Sequence, residues 1–164
     1  MFKYFKIIHI GVLGMRKSLY EKFNRDPQIV DIPPRMVKRY GSGKMLIPSP
    51  RDIDEIIRSV GKGRLITQEQ IREKLAEKYG VNITCPMTTG IFISKIIALM
   101  AEEKIRRGER DVTPYWRVVG KNGVLNPKFP GGVEMQTRRL EEERHIIIYD
   151  RKPRVKDYQK YLVK

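Results

Sequence analysis

The sequence predicts a mainly α domain with one small β hairpin, flanked by a basic arm at each end. Three observations carry this reading. Three amphipathic segments with helix start and stop signals follow one another between residues 49 and 110. A β-prone stretch, Tyr115 to Val119, then runs into an Asn122-Gly123 turn signal and a second apolar pair, Val124-Leu125. The net charge of +15 lies mostly outside this centre. Residues 1–46 hold 10 basic and 3 acidic groups, residues 151–164 hold 6 and 1, and residues 47–150 are nearly balanced at 18 and 15. A chain of 164 residues, 40% apolar, fits one domain with extensions, here 47–150 between arms at 1–46 and 151–164.

One cysteine, Cys85, excludes a disulfide scaffold and suits a reducing compartment, so a cytoplasmic protein is expected. No apolar run reaches the roughly 18–20 residues that span a bilayer, so a membrane partner is not expected. Met1 to Met15 mimics a weak signal sequence but contains His9 and two glycines and lacks a convincing cleavage site. A start at Met15, with 1–14 as an upstream extension, is the alternative. Residues 16–47, with Pro33-Pro34 and Gly41-Ser42-Gly43, read as an arm with little secondary structure. Residues 151–156 read as a second arm, closed by Tyr158, Tyr161, Leu162 and Val163, which suit docking back on the core. No set of residues calls for a cofactor or a metal.

Ser49 and Pro50 open the first helix, with Asp52 in its first turn. Ile53, Ile56, Ile57 and Val60 fall on one face, and Gly61 and Gly63 stop it. Thr67 with Gln70 forms a capping-box pattern for a helix over 67–79, with Ile71, Leu75, Ala76 and Tyr79 inward. A loop over 81–87 is expected next. Thr88 or Thr89 then opens a long helix with an apolar stripe of Ile93, Ile96, Ile97, Met100 and Ala101. Residues 126–132 read as a rigid, glycine-ended loop, followed by a helix from Val133 to near Glu143 and a strand over 145–149.

Helix, short link, helix, loop, helix is the order of a helix-turn-helix unit, whose last helix enters the major groove by default. A hairpin after it suggests a wing, so the fold class is winged helix-turn-helix-like. The basic total invites a polyanion partner, DNA or RNA.

The phrases Thr113-Pro114-Tyr115-Trp116-Arg117-Val118-Val119, Asn122-Gly123, Phe129-Pro130-Gly131-Gly132 and Leu140-Glu141-Glu142-Glu143 carry a resemblance. Residues 46–145 resemble the C-terminal, DNA-binding domain of O6-alkylguanine-DNA alkyltransferases. They are more similar still to the alkyltransferase-like proteins, which bind damaged DNA without transferring the alkyl group. The enzymes carry Pro-Cys-His-Arg-Val-Val, a short turn, a Tyr-Ser-Gly-Gly loop and a helix bearing a glutamate.

The resemblance implies a recognition helix in the minor groove and a pocket for a flipped base. It places Tyr115 where the enzymes have their nucleophilic cysteine and Trp116 where they have the relay histidine. A phenol with an ordinary pKa of about 10 is a poor alkyl acceptor, and indole has no basic nitrogen, so no enzyme activity is expected. Thr88, Thr89 and Gly90 fall on the recognition helix, Met87 on the arginine that fills the flipped base's place, and Gln68 on a phosphate-rotating tyrosine. Met87 then either wedges into the base stack or packs under the helix. Tyr115, Trp116, Arg117, Phe129, Pro130 and Gly131 form the implied lesion pocket, either lining it or filling it. Glu143 matches a supporting glutamate, but without Cys and His it is expected to be a solvated helix-end acid. Arg117 either holds a loop by a salt bridge or contacts a phosphate, and the resemblance favours the structural role.

Phosphate contacts are expected from Lys62, Arg64, Lys121, Lys128 and the arms. The expected function is non-enzymatic binding of double-stranded DNA carrying alkylated guanine, assisting repair alongside other repair proteins. Two alternatives stand beside it. One is a lesion-independent DNA- or RNA-binding module, transcriptional or ribosome-associated. The other is alkyl transfer to Cys85, a residue whose bland reading is structural.

Overall fold

Proline at a first helical position is tolerated because its missing N–H would have had no partner there. Pro34, Pro50 and Pro86 each use this, and three helices start at them. The computed structural model describes residues 18–164, so the readings of 1–14 and of Met15 as the start fall outside the described residues.

Residues 18–23 are helical. Strand β1 (Gln28–Asp31), helix α1 (Pro34–Tyr40) and strand β2 (Lys44–Ile47) follow. β1 and β2 pair antiparallel from Gln28↔Ile47 to Asp31↔Lys44. An arm with little secondary structure over 16–47 is therefore a misreading. Ile32, Met45 and Leu46 are buried, and Pro33-Pro34 starts a helix rather than a loop. Gly43 has φ +139°, and a Cβ there would lie 2.2 Å from Asn82 Oδ1, which accepts a hydrogen bond from Lys44 N. Only glycine permits that approach.

Helix α2 (Pro50–Arg58) is capped as expected: Ser49 Oγ accepts from Arg51 N at 3.1 Å. Ile53 and Ile57 are fully buried. A two-residue strand, β3 (Ile66–Thr67), leads into α3 (Gln68–Tyr79). The capping box is present in both halves, with Thr67 Oγ1 accepting from Gln70 N and Gln70 Oε1 accepting from Thr67 N. Each such cap is worth about 1 kcal/mol. Gly80 ends α3 in the left-handed region, where glycine carries no side-chain penalty.

The expected loop over 81–87 contains strand β4 (Ile83–Thr84), parallel to β2, which completes a sheet of order β1-β2-β4. The long helix begins at Pro86, ahead of the expected Thr88 or Thr89. It runs as α4 (Pro86–Phe92), a π-helical turn (Ile93–Ile97) and α5 (Ala98–Arg106). Its stripe of Ile93, Ile96, Ile97 and Ala101 is buried with Ile53, Ile57, Ile71 and Leu75 in the main core.

After a 3₁₀ turn (Tyr115–Arg117), strand β5 (Val118–Val119) pairs parallel with β3. Val118 and Val119 are both fully buried, as suits a parallel pair covered on both faces. The expected hairpin wing is therefore not formed. The Asn-Gly turn is real, with Asn122 at φ 60° and Gly120 N donating to Val124 O. The returning chain pairs elsewhere: Val124 bridges Arg154, and Leu125 N donates to Pro153 O. Helix α6 (Gly132–Glu142) follows, then β6 (Ile147–Tyr149) and β7 (Pro153–Val155), which pair antiparallel.

The segment from 151 is not a free arm. Val155 is fully buried, Leu65 N donates to Tyr161 O, and Val163 N donates to Leu65 O. The docking expected of its aromatic and apolar end thus extends to the segment's own strand. Among the described residues no helix is long and apolar enough to cross a membrane.

Candidate nucleic-acid interface

A groove of about 630 Å³ runs between α4 and the loop over 120–128. On the helix side lie Met87, Gly90, Ile91, Ser94 and Lys95, with Gln68 from the start of α3 above Gly90. Met87, Ile91 and Lys95 recur every four residues, so they share one face of the helix. Met87 is 64% exposed and Ile91 47%, which excludes the reading of Met87 as packed under the helix. Two exposed apolar side chains next to a lysine suit a surface that meets both apolar and anionic groups.

The opposite wall is built by Gln136, which is 1% exposed. Its Oε1 accepts from Asn126 N at 2.8 Å, and its Nε2 donates to Trp116 O and Val118 O. One buried amide thus ties the loop to α6 and to β5. Asn126 Oδ1 accepts from Lys128 N at 2.9 Å, a local turn that sets Lys128 at the rim.

Behind this wall sits the aromatic cluster. Tyr115 is 1% and Phe129 3% exposed, and their rings meet edge to face with centroids 5.1 Å apart. Of the two readings left open, these side chains favour filling over lining. The Tyr115 hydroxyl donates to Glu102 Oε1 and accepts from Arg139 Nη1 at 3.0 Å, while Arg139 is ion-paired to Glu102. Burial, reinforced by the Glu102 carboxylate, pushes the Tyr115 phenol well above its ordinary value.

Glu143 is the second hub, and it corrects the expectation of a solvated acid: its side chain is 6% exposed. It accepts from Trp116 Nε1, Arg117 Nε, Arg117 Nη2 and Gly63 N. Burial alone would raise its pKa, but the hydrogen bonds from Arg117, Trp116 and Gly63 prevail and hold it below the usual carboxylate value. Arg117 also donates to Val60 O, in keeping with the loop-holding role expected of it. The Trp116 ring lies beneath the Arg139 guanidinium, 4.8 Å from its centroid.

The groove brings together Gln68, Met87, Gly90 and Lys128 of the residues the sequence singles out. Thr88 is half-buried at the helix start. Thr89 is misread as a DNA contact: it is fully buried and its Oγ1 donates to Cys85 O at 2.8 Å. Lys62, Arg64 and Lys121 are exposed on loops outside the groove lining, and Arg64 donates to Leu162 O. Pro130 and Gly131 lead into α6, and neither lines the groove. Cys85 is buried with Ile32 and Met45 at the start of α4, a structural place. Sequence reasoning missed Ile91, Lys95 and Gln136. Ile91 lies off the buried stripe and in step with Met87, a signal that was available; Gln136 gave none.

The described residues thus define a helical protein with three small sheets and an apolar, basic-rimmed groove on an exposed helix. No protein-family model matches the chain, and no curated protein matches it. Among solved structures it is similar to S. pombe Atl1 in complex with damaged DNA containing O6-carboxymethylguanine, at 18% identity and TM-score 0.45, over 70% of this chain and 94% of that one. It is also similar to S. pombe ATL in complex with DNA, at 16% identity and TM-score 0.44, over the same shares.

Proposed function

We propose that this chain is a non-enzymatic DNA-binding protein of the alkyltransferase-like kind, which recognises alkylated guanine in duplex DNA and assists its repair. The observation that carries the reading is the convergence of Gln68, Met87, Gly90 and Lys128 on one groove beside Lys95. An exposed Met–Ile pair suits insertion against base edges, where burial of apolar surface adds to binding. Lys95, Lys128, Lys62, Arg64 and Lys121 would meet phosphates. The Tyr115 phenol, pushed up and bound to Glu102 and Arg139, is a poor nucleophile, which supports a role without alkyl transfer.

The test is affinity for a duplex with one O6-methylguanine against the same duplex with guanine, at one salt concentration. The reading expects a preference for the lesion. It also expects Tyr115→Ala to change that preference while leaving affinity for undamaged DNA nearly intact. A second reading, lesion-independent DNA binding, is favoured by the near-complete burial of Tyr115 and Phe129. It expects equal affinities with a steep salt dependence.

A further inference from the structure

A second cleft, of about 760 Å³, opens between the Gly120–Val124 turn and the turn joining β6 to β7. Val124 lines both this cleft and the groove on α4, so the two are contiguous. Arg151, Lys152 and Arg154 bring three cations to the cleft, and Asp150 and Asp157 bring two carboxylates. Both carboxylates are engaged locally. Asp150 Oδ2 accepts from Arg154 Nε and Nη2, its Oδ1 accepts from Arg151 N, and Asp157 lies 3.8 Å from Lys160.

Arg151 and Lys152 are left exposed, with no side-chain ion pair among the described residues. The scaffold beneath them is ordered. β6 and β7 pair from Ile147↔Val155 to Tyr149↔Pro153, Val155 is fully buried, and Pro153 O accepts from Leu125 N in the groove wall. The turn is therefore held at a fixed place relative to the groove.

We propose that this cleft is a second contact for the phosphodiester backbone of DNA seated in the groove, made by Arg151 and Lys152. A guanidinium offers a forked donor pair that matches a phosphate, and an ammonium adds a point charge. The inference rests on the groove reading and extends the interface to a segment that the family resemblance does not cover.

The experiment measures how affinity for duplex DNA falls with salt, in the full chain and in the double variant Arg151→Ala with Lys152→Ala. Each phosphate contact contributes about 0.9 to the slope of log affinity against log salt, so the double variant is expected to lower the slope by about 1.8. Arg106→Ala with Arg110→Ala, at exposed positions at the end of α5 and just after it, removes the same charge and is expected to leave the slope unchanged. An unchanged slope in the first variant, or an equal fall in both, overturns the proposal. Failure of the groove reading looks different: the unaltered chain does not bind DNA, or Met87→Ala and Lys95→Ala leave binding intact, and either result overturns both.

Discussion

Glu143 accepts a hydrogen bond from Trp116 Nε1 at 3.0 Å, and the same carboxylate binds Arg117 and Gly63 N. The contact joins the end of α6, the 3₁₀ turn and the connector after α2. Removing the carboxylate would strand the Arg117 charge, whose side chain is 13% exposed, together with two N–H donors. Glu143→Ala is therefore expected to cost about 3–5 kcal/mol of stability. Glu143→Gln, which keeps an acceptor, is expected to cost less. Urea unfolding followed by the fluorescence of Trp116, the only tryptophan, measures both.

Local signals were legible in the sequence. Ser49-Pro50 and Thr67 with Gln70 start their helices because a cap needs only residues within one turn. Long-range pairing was not legible. The Asn-Gly turn predicted a hairpin, but the choice of β7 over Val118-Val119 as partner for Val124-Leu125 depends on what else covers β5. Pro33-Pro34 looked like loop because a proline reads alike before a helix and in a linker. At the site, three residues taken from the family resemblance, Gln68, Met87 and Gly90, line one groove with Lys128, which the sequence singles out for its charge. Thr89 was misplaced because a threonine can turn its hydroxyl back onto its own helix, and Glu143 because burial is invisible in a run of three glutamates.

Gly90 lies inside α4 with helical backbone, and a Cβ there would meet only Gln68 Oε1, at an ordinary 3.5 Å. Gly90→Ala is expected to stabilise the chain by about 0.5–1 kcal/mol through helix propensity. The same methyl group stands in the groove, so affinity for DNA should fall. Thermal unfolding and fluorescence anisotropy with labelled duplex, on the same variant, check the opposed signs. Unaltered affinity would place the DNA elsewhere.

Gln136 ties Asn126 N to Trp116 O and Val118 O through one side-chain amide. Gln136→Leu keeps the bulk and leaves three backbone groups, one buried and two half-buried, without that partner. Each unsatisfied group costs about 1–3 kcal/mol, less where water reaches it, so a loss of about 2–4 kcal/mol is expected. The wall carrying Lys128 should loosen, which hydrogen exchange over 124–128 would show as faster amide exchange. Unchanged exchange there would mean that the loop holds its shape without α6.

Acid should unfold the chain in two steps, and His145 sets the first. Its ring is buried edge-on to Tyr161, with no hydrogen-bond partner on either nitrogen among the described residues. Burial lowers its pKa from 6.5; the nearby Glu143 charge opposes the shift and Arg117 adds to it. The unfolded chain thus takes up a proton near 6.5 that the folded chain resists, so this contribution is complete above 6.5 and is lost as pH falls through the lowered value. Glu143 and Glu102 are both held below 4.5, where burial is outweighed by hydrogen bonds from Arg117 and from Arg139. Their contribution has the same sign and is lost only below 4.5. Between about pH 7 and 9, below the range where the raised Tyr115 phenol matters, urea midpoints are therefore expected to be level; they should fall first below the ordinary imidazole value and again in the carboxylate range. His145→Phe, which keeps an edge-on ring against Tyr161, should abolish the first fall and leave the second. A first fall that survives the substitution would assign it to another group.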